Sequence, residues 1–507
     1  MKKVSSKENN EQYFNTDHLK ADLKGRSVRG GAVTMAAQVS KFILQMGSTV
    51  VLARLLAPED YGLIGMVTVV IGFAGLFKDL GLSTATIQKP EVNHKQVSTL
   101  FWINFAITCA TTLVVAGLAP VVAWFYKAPR LTWITLALAS SFFFGCLSVQ
   151  HQALLRRQMS FTSLAKIEII SMLAGIVTAI ISAWYGLGYW ALVLQQIATA
   201  IANAVGVWIA CSWRPGAPLR RSGIRSMLAF GGNLTGFNIV NYFSRNLDNV
   251  LIGQYWGPQQ LGLYAQAYKL LLLPIQHINT PITKVALPAL SSLQTEPDKY
   301  RRYYYKAILL ITTLGMPIVG FMFASADKVI LLMLGKQWLG AVPLFRFLIP
   351  AAFIGTFNVA MGWVYQSLGR TDRQFRWGIV TSTINVIIFL VSVRWGAIGV
   401  AAAFGLSRPI ILVPTIIYCY KGTQLRLIDL ASTLFRPALA SIGAAVGVVG
   451  INYLLPTEIN LVISLFIDLS LYTLFYFVIW IVLPNGRTTL FEILQTLKAL
   501  KEKPKKN

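Results

Sequence analysis

Four polar side chains, Gln38, Lys41, Gln45 and Ser48, interrupt an otherwise apolar stretch at intervals of three, four and three residues. On an α-helix that spacing puts all four on one face. Two hundred positions later the chain carries Asn238, Asn241, Arg245 and Asp248, so the same face is polar twice. These residue types suit recognition rather than bond-making. Ammonium and guanidinium groups bind phosphate, Arg in bidentate fashion, and amides hydrogen-bond hydroxyls. Lys269, with Gln266 on its face, and Arg346 and Arg408 extend the cationic set. Lys41 has no partner on its own helix. Arg245 and Asp248, at i and i+3, either neutralise each other or serve a ligand. Lys269 either faces a cavity or snorkels outward past Tyr264, Arg346 near the outer end of its span has the same two options, and Arg408 stands beside Pro409 at a candidate kink. Acids are scarcer. Asp468 is a candidate partner for a cation, and Glu168, beside Lys166, is expected at the cytoplasmic interface.

The setting makes these charges informative. The chain has 507 residues, 55% hydrophobic and 13% charged, where soluble domains carry about 25% charged residues. Apolar runs recur from near residue 30 to residue 484, so the bilayer is the solvent for most of the chain. The first thirty residues hold no apolar region with a cleavage site, and the first span is expected to be its own insertion signal. A charge at the centre of a membrane helix costs about 2.5–3.5 kcal/mol and marks function by default. The net charge of +26 reads as cytoplasmic loops and tails rather than a nucleic-acid surface. Cys109, Cys146, Cys211 and Cys419 form no CxxC, and the four histidines are scattered. No metal or other cofactor is expected.

A crossing helix needs about 20 mostly apolar residues. That window predicts spans at 31–55, 61–78, 98–124, 131–153, 163–184, 188–212, 228–252, 259–282, 304–325, 339–366, 374–394, 397–420, 430–454 and 459–484. The span at 259–282 is the weakest, interrupted by Pro274, Gln276 and His277. Basic residues fall in alternate loops: Lys78/Lys89/Lys95, Arg156/Arg157, Arg214/Arg220/Arg221/Arg225, Lys299/Arg301/Arg302, Arg370/Arg373/Arg376 and Lys421/Arg426, with basic tails at both ends. This places both termini in the cytoplasm. The intervening loops leave no room for a soluble domain, so any chemistry occurs within the membrane.

The halves repeat without a gap at an offset of two hundred. Ala57-Pro58-Glu59-Asp60-Tyr61-Gly62-Leu63 faces Gly257-Pro258-Gln259-Gln260-Leu261-Gly262-Leu263, and Gly31 falls on Gly231. Six spans per unit give repeats of the same orientation, related by an axis along the membrane normal. The fold expected is an all-α polytopic membrane protein of about 14 transmembrane helices: two six-helix bundles related by pseudo-two-fold symmetry plus two C-terminal helices. The division expected is a cytoplasmic tail at 1–27, bundles at 28–213 and 227–421 joined by a cytoplasmic linker at 214–226, two additional helices at 422–484 and a basic tail at 485–507. The paired polar stripes belong in a central cavity between the bundles, and a cationic cavity selects an anionic cargo.

The stretch Val51-Leu52-Ala53-Arg54-Leu55-Leu56-Ala57-Pro58-Glu59-Asp60-Tyr61-Gly62, with Phe77-Lys78-Asp79-Leu80-Gly81-Leu82 and Arg156-Arg157-Gln158-Met159-Ser160-Phe161, resembles the multidrug/oligosaccharidyl-lipid/polysaccharide (MOP) flippase superfamily, and within it the Wzx-type exporters of polysaccharide repeat units. The resemblance covers roughly residues 28–484. It implies two six-helix bundles, V-shaped about a cationic lumen, in a bacterial inner-membrane protein. It implies a polyprenyl-pyrophosphate-linked oligosaccharide as cargo, with membrane lipids, a polysaccharide polymerase and other assembly proteins as partners and no nucleic acid. Span one lacks the carboxylate that some multidrug relatives carry there. Rival readings are an ion-coupled multidrug exporter on the same fold, which predicts acidic cavity residues, a membrane polymerase or glycosyltransferase, and a scaffold subunit. The large outer loop, DxD motif and Walker A loop that the enzymes or an ATPase would need are not seen.

Alkaline phosphatase fused after Lys127 or Lys336 is predicted to be active in cells, and after Arg157, Arg302 or Arg370 inactive. The opposite pattern would overturn the orientation.

Overall fold

The computed structural model describes residues 14, 23–77, 83, 86–87, 92–218, 225–454 and 460–491, with the side chains of 23–30, 32, 225–241 and 244 outside that set. The expected tails at 1–27 and 485–507 lie largely outside the described residues. Long helices account for nearly all the rest: α1 Leu23–Leu55, α2 Pro58–Gly75, α3 His94–Phe125, α4 Arg130–Arg157, α5 Phe161–Trp184, α6 Trp190–Ala210, α7 Arg225–Ser292, α8 Pro297–Ala324, α9 Ala326–Met333, α10 Ala341–Ser367, α11 Thr371–Ser392, α12 Gly396–Tyr420, α13 Leu427–Leu454 and α14 Leu461–Val482. Many are long and apolar enough to cross a membrane, among them α3 to α6, α8, α10, α13 and α14. Helices are present at all the spans expected from hydropathy, with one addition.

The seventh and eighth expected spans correspond to the two arms of α7, which are separated by a kink. Gly257 breaks the helix with φ 78° and ψ −178°, a conformation essentially reserved for glycine. Pro258 then starts the second arm. In the first repeat the chain makes the same division at Ala57–Pro58, where Pro58 opens α2 and the Asp60 carboxylate accepts the Ala57 N–H at 2.9 Å. Pro274, Gln276 and His277, read as interruptions, leave the second arm helical to Ser292. The addition is α9, an eight-residue helix between α8 and α10 that is too short to show in a membrane-length window.

Local signals account for the other ends. Asn93 accepts the Gln96 N–H at 2.9 Å while the Gln96 side chain accepts the Asn93 N–H at 3.3 Å, a reciprocal cap on α3. Arg370 and Arg373 donate to the carbonyls of Tyr418, Lys421 and Gly422, satisfying the orphan end of α12.

The chain divides into two compact units, Met1–Gly262 and Leu263–Asn507. In the first, α1 packs on α5, α3 on α4, and α6 on both α4 and α5. The repeated turns meet inside this unit. A Cβ added at Gly62 would lie 1.7 Å from the Pro258 carbonyl oxygen, and one at Gly262 would lie 1.8 Å from the Pro58 carbonyl oxygen. Residue i touches j+200 while i+200 touches j, the signature of a local two-fold axis. Only glycine at both places allows the backbones so close.

In the second unit α10 packs on α12 and α8 on α13, around a core that includes Tyr304, Phe357, Trp363 and Tyr420. The extra pair α13–α14 is held here by a buried network. Asp468 on α14, 1% exposed, accepts Lys328 Nζ at 2.8 Å and Ser325 Oγ at 2.8 Å, and Lys328 also reaches Asn452 on α13 at 2.9 Å. The cation that the sequence left unassigned for Asp468 is therefore Lys328.

Gly62→Ala and Gly262→Ala should each destabilise the protein by about 1–3 kcal/mol through backbone overlap. Gly31→Ala, where an added Cβ meets nothing within 4 Å, should be neutral or slightly stabilising. Thermal unfolding in detergent separates the two classes.

Candidate functional site

Within the first unit the polar stripe of α1 meets α5. Lys41 Nζ donates to Glu168 Oε2 at 2.6 Å, with side chains 24% and 40% exposed. The partner absent from Lys41's own helix is supplied by the next-packed one, 127 residues away. Glu168, expected at the interface, instead faces this stripe. Its neighbours on the stripe are graded: Gln38 is exposed, Gln45 half-buried and Ser48 buried. Both side chains of the pair remain partly exposed.

On the first arm of α7, Arg245 is exposed and Asp248 is buried, its Oδ1 accepting the Asn249 N–H at 2.8 Å. The side chains of Asn238 and Asn241 lie outside the described residues. Tyr242 fixes the rotation of this arm: its hydroxyl donates to the Val69 carbonyl of α2 at 2.8 Å, in a notch that Gly72 leaves open. The arm therefore commits Tyr242 to the α2 side, and Arg245 remains accessible on its surface.

The second unit carries three of the predicted cations in three settings. Lys269 is exposed, beside Tyr268, and Gln266 on the same arm is buried. Arg346 Nη2 lies 3.6 Å from Asp327 Oδ1 of α9, both about half exposed. Arg408, midway along α12, donates to Asn385 Oδ1 of α11 at 3.0 Å and lies 4.0 Å above the Phe404 ring. Phe404 meets Tyr268 at 6.0 Å between ring centres, and Tyr268 stacks on Tyr264. The aromatic neighbours of Lys269 and Arg408 are thus brought together through Phe404.

Sequence reasoning missed Glu168, Asn385 and Phe404. Phe404, four residues before Arg408, carried a readable signal, since i and i+4 share a helix face. Glu168 and Asn385 did not, because each acts across a helix–helix contact that spacing along one helix cannot show.

Residues 51–343, more than half of the chain, match the family described as polysaccharide biosynthesis protein. The chain belongs to this family. It is 26% identical to the teichuronic acid biosynthesis protein TuaB of Bacillus subtilis (strain 168) over 76% of this chain and 80% of that protein. It is 24% identical to the lipopolysaccharide biosynthesis protein WzxC of Escherichia coli (strain K12) over 75% of this chain and 78% of that protein. Among solved structures, the lipid II flippase MurJ in an inward closed conformation superposes with a TM-score of 0.71 at 15% identity, covering 89% of this chain and 98% of that one. An inward-facing multidrug resistance MATE family transporter of the MOP superfamily gives 0.58 at 12% identity, covering 78% and 94%. The fold is accordingly the MOP fold read from the sequence. The protein is a multi-pass membrane protein of the polysaccharide biosynthesis family.

Exchanging the charges in Lys41→Glu/Glu168→Lys should return folding stability to within about 0.5 kcal/mol of the parent, as the pair is re-formed. Transport should stay down roughly ten-fold, the equivalent of one lost charged hydrogen bond. Recovery of transport along with stability would make Lys41 a structural partner of Glu168 only.

Proposed function

We propose that this protein is an alternating-access flippase that moves an anionic polyprenyl-pyrophosphate-linked oligosaccharide repeat unit across the bacterial inner membrane for exopolysaccharide or lipopolysaccharide assembly. What supports the proposal is the presence of cations, Lys41 and Arg245 in the first unit and Lys269 and Arg408 in the second, on long helices of a polysaccharide biosynthesis family member. A protein that served only as a scaffold would have no use for charges costing about 2.5–3.5 kcal/mol each at the helix centre. An anionic headgroup recovers that cost during binding.

The cargo chemistry follows from the residue types. The guanidinium of Arg408 offers two parallel donors to a phosphate, and the ammonium groups of Lys41 and Lys269 act as point charges. Gln38, Gln45, Asn238 and Asn241 offer amides to sugar hydroxyls, while Tyr268 offers a ring face. The apolar tail of such a cargo needs no site of its own charge and stays in lipid. Relatives named for teichuronic acid and lipopolysaccharide biosynthesis, one named a succinoglycan biosynthesis transport protein, and a fold shared with a lipid II flippase all support a lipid-linked saccharide as the moved species. Membrane lipids surround the site, a polysaccharide polymerase and other assembly proteins take the product, and both termini face the cytoplasm.

The test is reconstitution in liposomes containing a fluorescent polyprenyl-pyrophosphate oligosaccharide, with transbilayer exposure read by quenching from outside. The parent protein should equilibrate the lipid, and Lys41→Ala or Lys269→Ala, purified as monodisperse protein, should slow it about ten-fold or more. No equilibration by the parent, with uptake of a cationic dye instead, would replace the proposal with drug export.

A further inference from the structure

Gly186 and Gly396, both at φ 76°, follow the fifth helix of each repeat and set an offset of 210 between the ends of the repeats. With that offset the connection after α6, residues 211–216, falls on residues 421–426 after α12. In both repeats a hydroxyl of the third helix holds this connection. Ser98 Oγ of α3 accepts the Gly216 N–H at 3.0 Å, and the Tyr305 hydroxyl of α8 accepts the Arg426 N–H at 3.0 Å. An arginine also closes the end of the sixth helix in each. Arg214 donates to the carbonyls of Trp208 and Cys211 and lies over the Trp208 ring. Arg373 donates to those of Tyr418 and Lys421 and lies over the Tyr418 ring, which is the counterpart of Trp208 at the same offset.

The first repeat adds a further layer. Trp213 Nε1 donates to His94 Nδ1 at 3.0 Å and Trp102 Nε1 donates to the Gly216 carbonyl at 2.8 Å, so the connection is bonded to α3 at three points. Gly216 lies so near His94 that an added Cβ would be 2.8 Å from Nε2. Phe14, from ahead of α1, then closes the site. Its ring meets the His94 ring edge-on at 6.2 Å and packs on the core that includes Val97, Phe101, Leu155, Cys211 and Trp213. Cys211 and Trp213 are fully buried there. A hydrogen bond under an apolar cover is stronger than one open to water, and Phe14 is part of the cover over Trp213 and His94.

We propose that the N-terminal segment is an intramolecular clasp: Phe14 seats on the site formed by His94 and Trp213 and holds the α6–α7 connection against α3, and its departure frees that connection. The chemistry of the site suits this occupant. The imidazole nitrogens of His94 face Trp213 and Ser98, so what the site offers at its edge is an aromatic and apolar surface that takes a ring rather than an ion. Phe14 brings a ring in a stretch, Lys7 to Asp17, whose other residues are polar apart from Tyr13. A polar segment anchored through one ring docks reversibly. The connection leads directly into α7, so a restraint on residues 211–216 is a restraint on the start of that helix. This goes beyond the flippase reading and stands without it.

Cys211 reports the state of the connection. In the full chain with Cys109, Cys146 and Cys419 replaced by alanine, Cys211 should react slowly with a water-soluble maleimide. Phe14→Ala in that background should raise the rate about ten-fold, as a local opening does, at an unchanged unfolding temperature. Deleting residues 1–15 should do the same. A synthetic peptide of residues 1–22 added to the shortened protein should restore slow labelling, and the peptide with Phe14→Ala should not. Cys146 of α4, kept as the sole cysteine in a parallel protein, should label at the same rate with and without Phe14. Equal labelling of Cys211 in the parent and Phe14→Ala would show that the ring does not hold the connection and would overturn the proposal. Faster labelling of Cys211 and Cys146 together would also overturn it, since Phe14 would then support the whole unit rather than clasp one connection.

Discussion

A bilayer does not solvate charge, so a chain that crosses it has to hold its charged side chains with partners. Three settings occur among the described residues. Lys328 and Asp468 are mutually paired, and Ser325 and Asn452 complete their hydrogen bonds. A buried pair of this kind is strongly coupled, because removing one partner strands the other at a cost of about 3–5 kcal/mol. It serves to dock α13 and α14. Lys41 and Glu168 are paired but remain 24% and 40% exposed, so the ion pair contributes little stability and its partners can exchange. Arg408 is directed by an amide and a ring.

The backbone obeys the same constraint. Peptide groups at membrane depth have to be bonded within helices, so the chain can turn only where special residues allow it. Gly257 and the Pro58/Pro258 positions divide the paired helices of each repeat. Gly62 and Gly262 then let those turns pack reciprocally, carbonyl against glycine. The contact is small, but it pins two repeats through their best-matched sequence. The match at an offset of two hundred reflects a steric requirement, since a side chain at either glycine would push the backbones apart.

This explains what could be read from the sequence. Span positions and the repeat were legible because hydropathy and turn residues act locally: a run of apolar side chains is a helix in lipid whatever it packs against. The two arms of α7 were legible in the same way, with Gly257 and Pro258 between them, but α9 was too short for a membrane-length window. Of the site, the α1 stripe and the cations of the second repeat were visible as residues out of place in lipid. Their settings were not. Lys41 and Glu168 stand 127 residues apart, Arg346 meets Asp327 on α9, and Arg408 depends on Asn385 from the neighbouring helix. Periodicity reports which face a residue shares, and only the packing of helices reports what that face meets.

Internal duplication starts both halves with the same architecture, so departures from it are where function has been written. The glycines at 62 and 262 are kept in both because neither half can fold its turn without one. The charges are not kept. Lys41 falls on Asn241 and Gln45 on Arg245, while Gly175 and Ala198 fall on Asn385 and Arg408. The helix pairs differ as well: α5 and α6 approach closely at Gly175 and Gly206, whereas α11 and α12 carry Asn385, Arg408 and the stacked rings of Phe389 and Phe404 between them. The shared architecture is kept by its turn glycines, and the two halves diverge in the side chains that their helices carry.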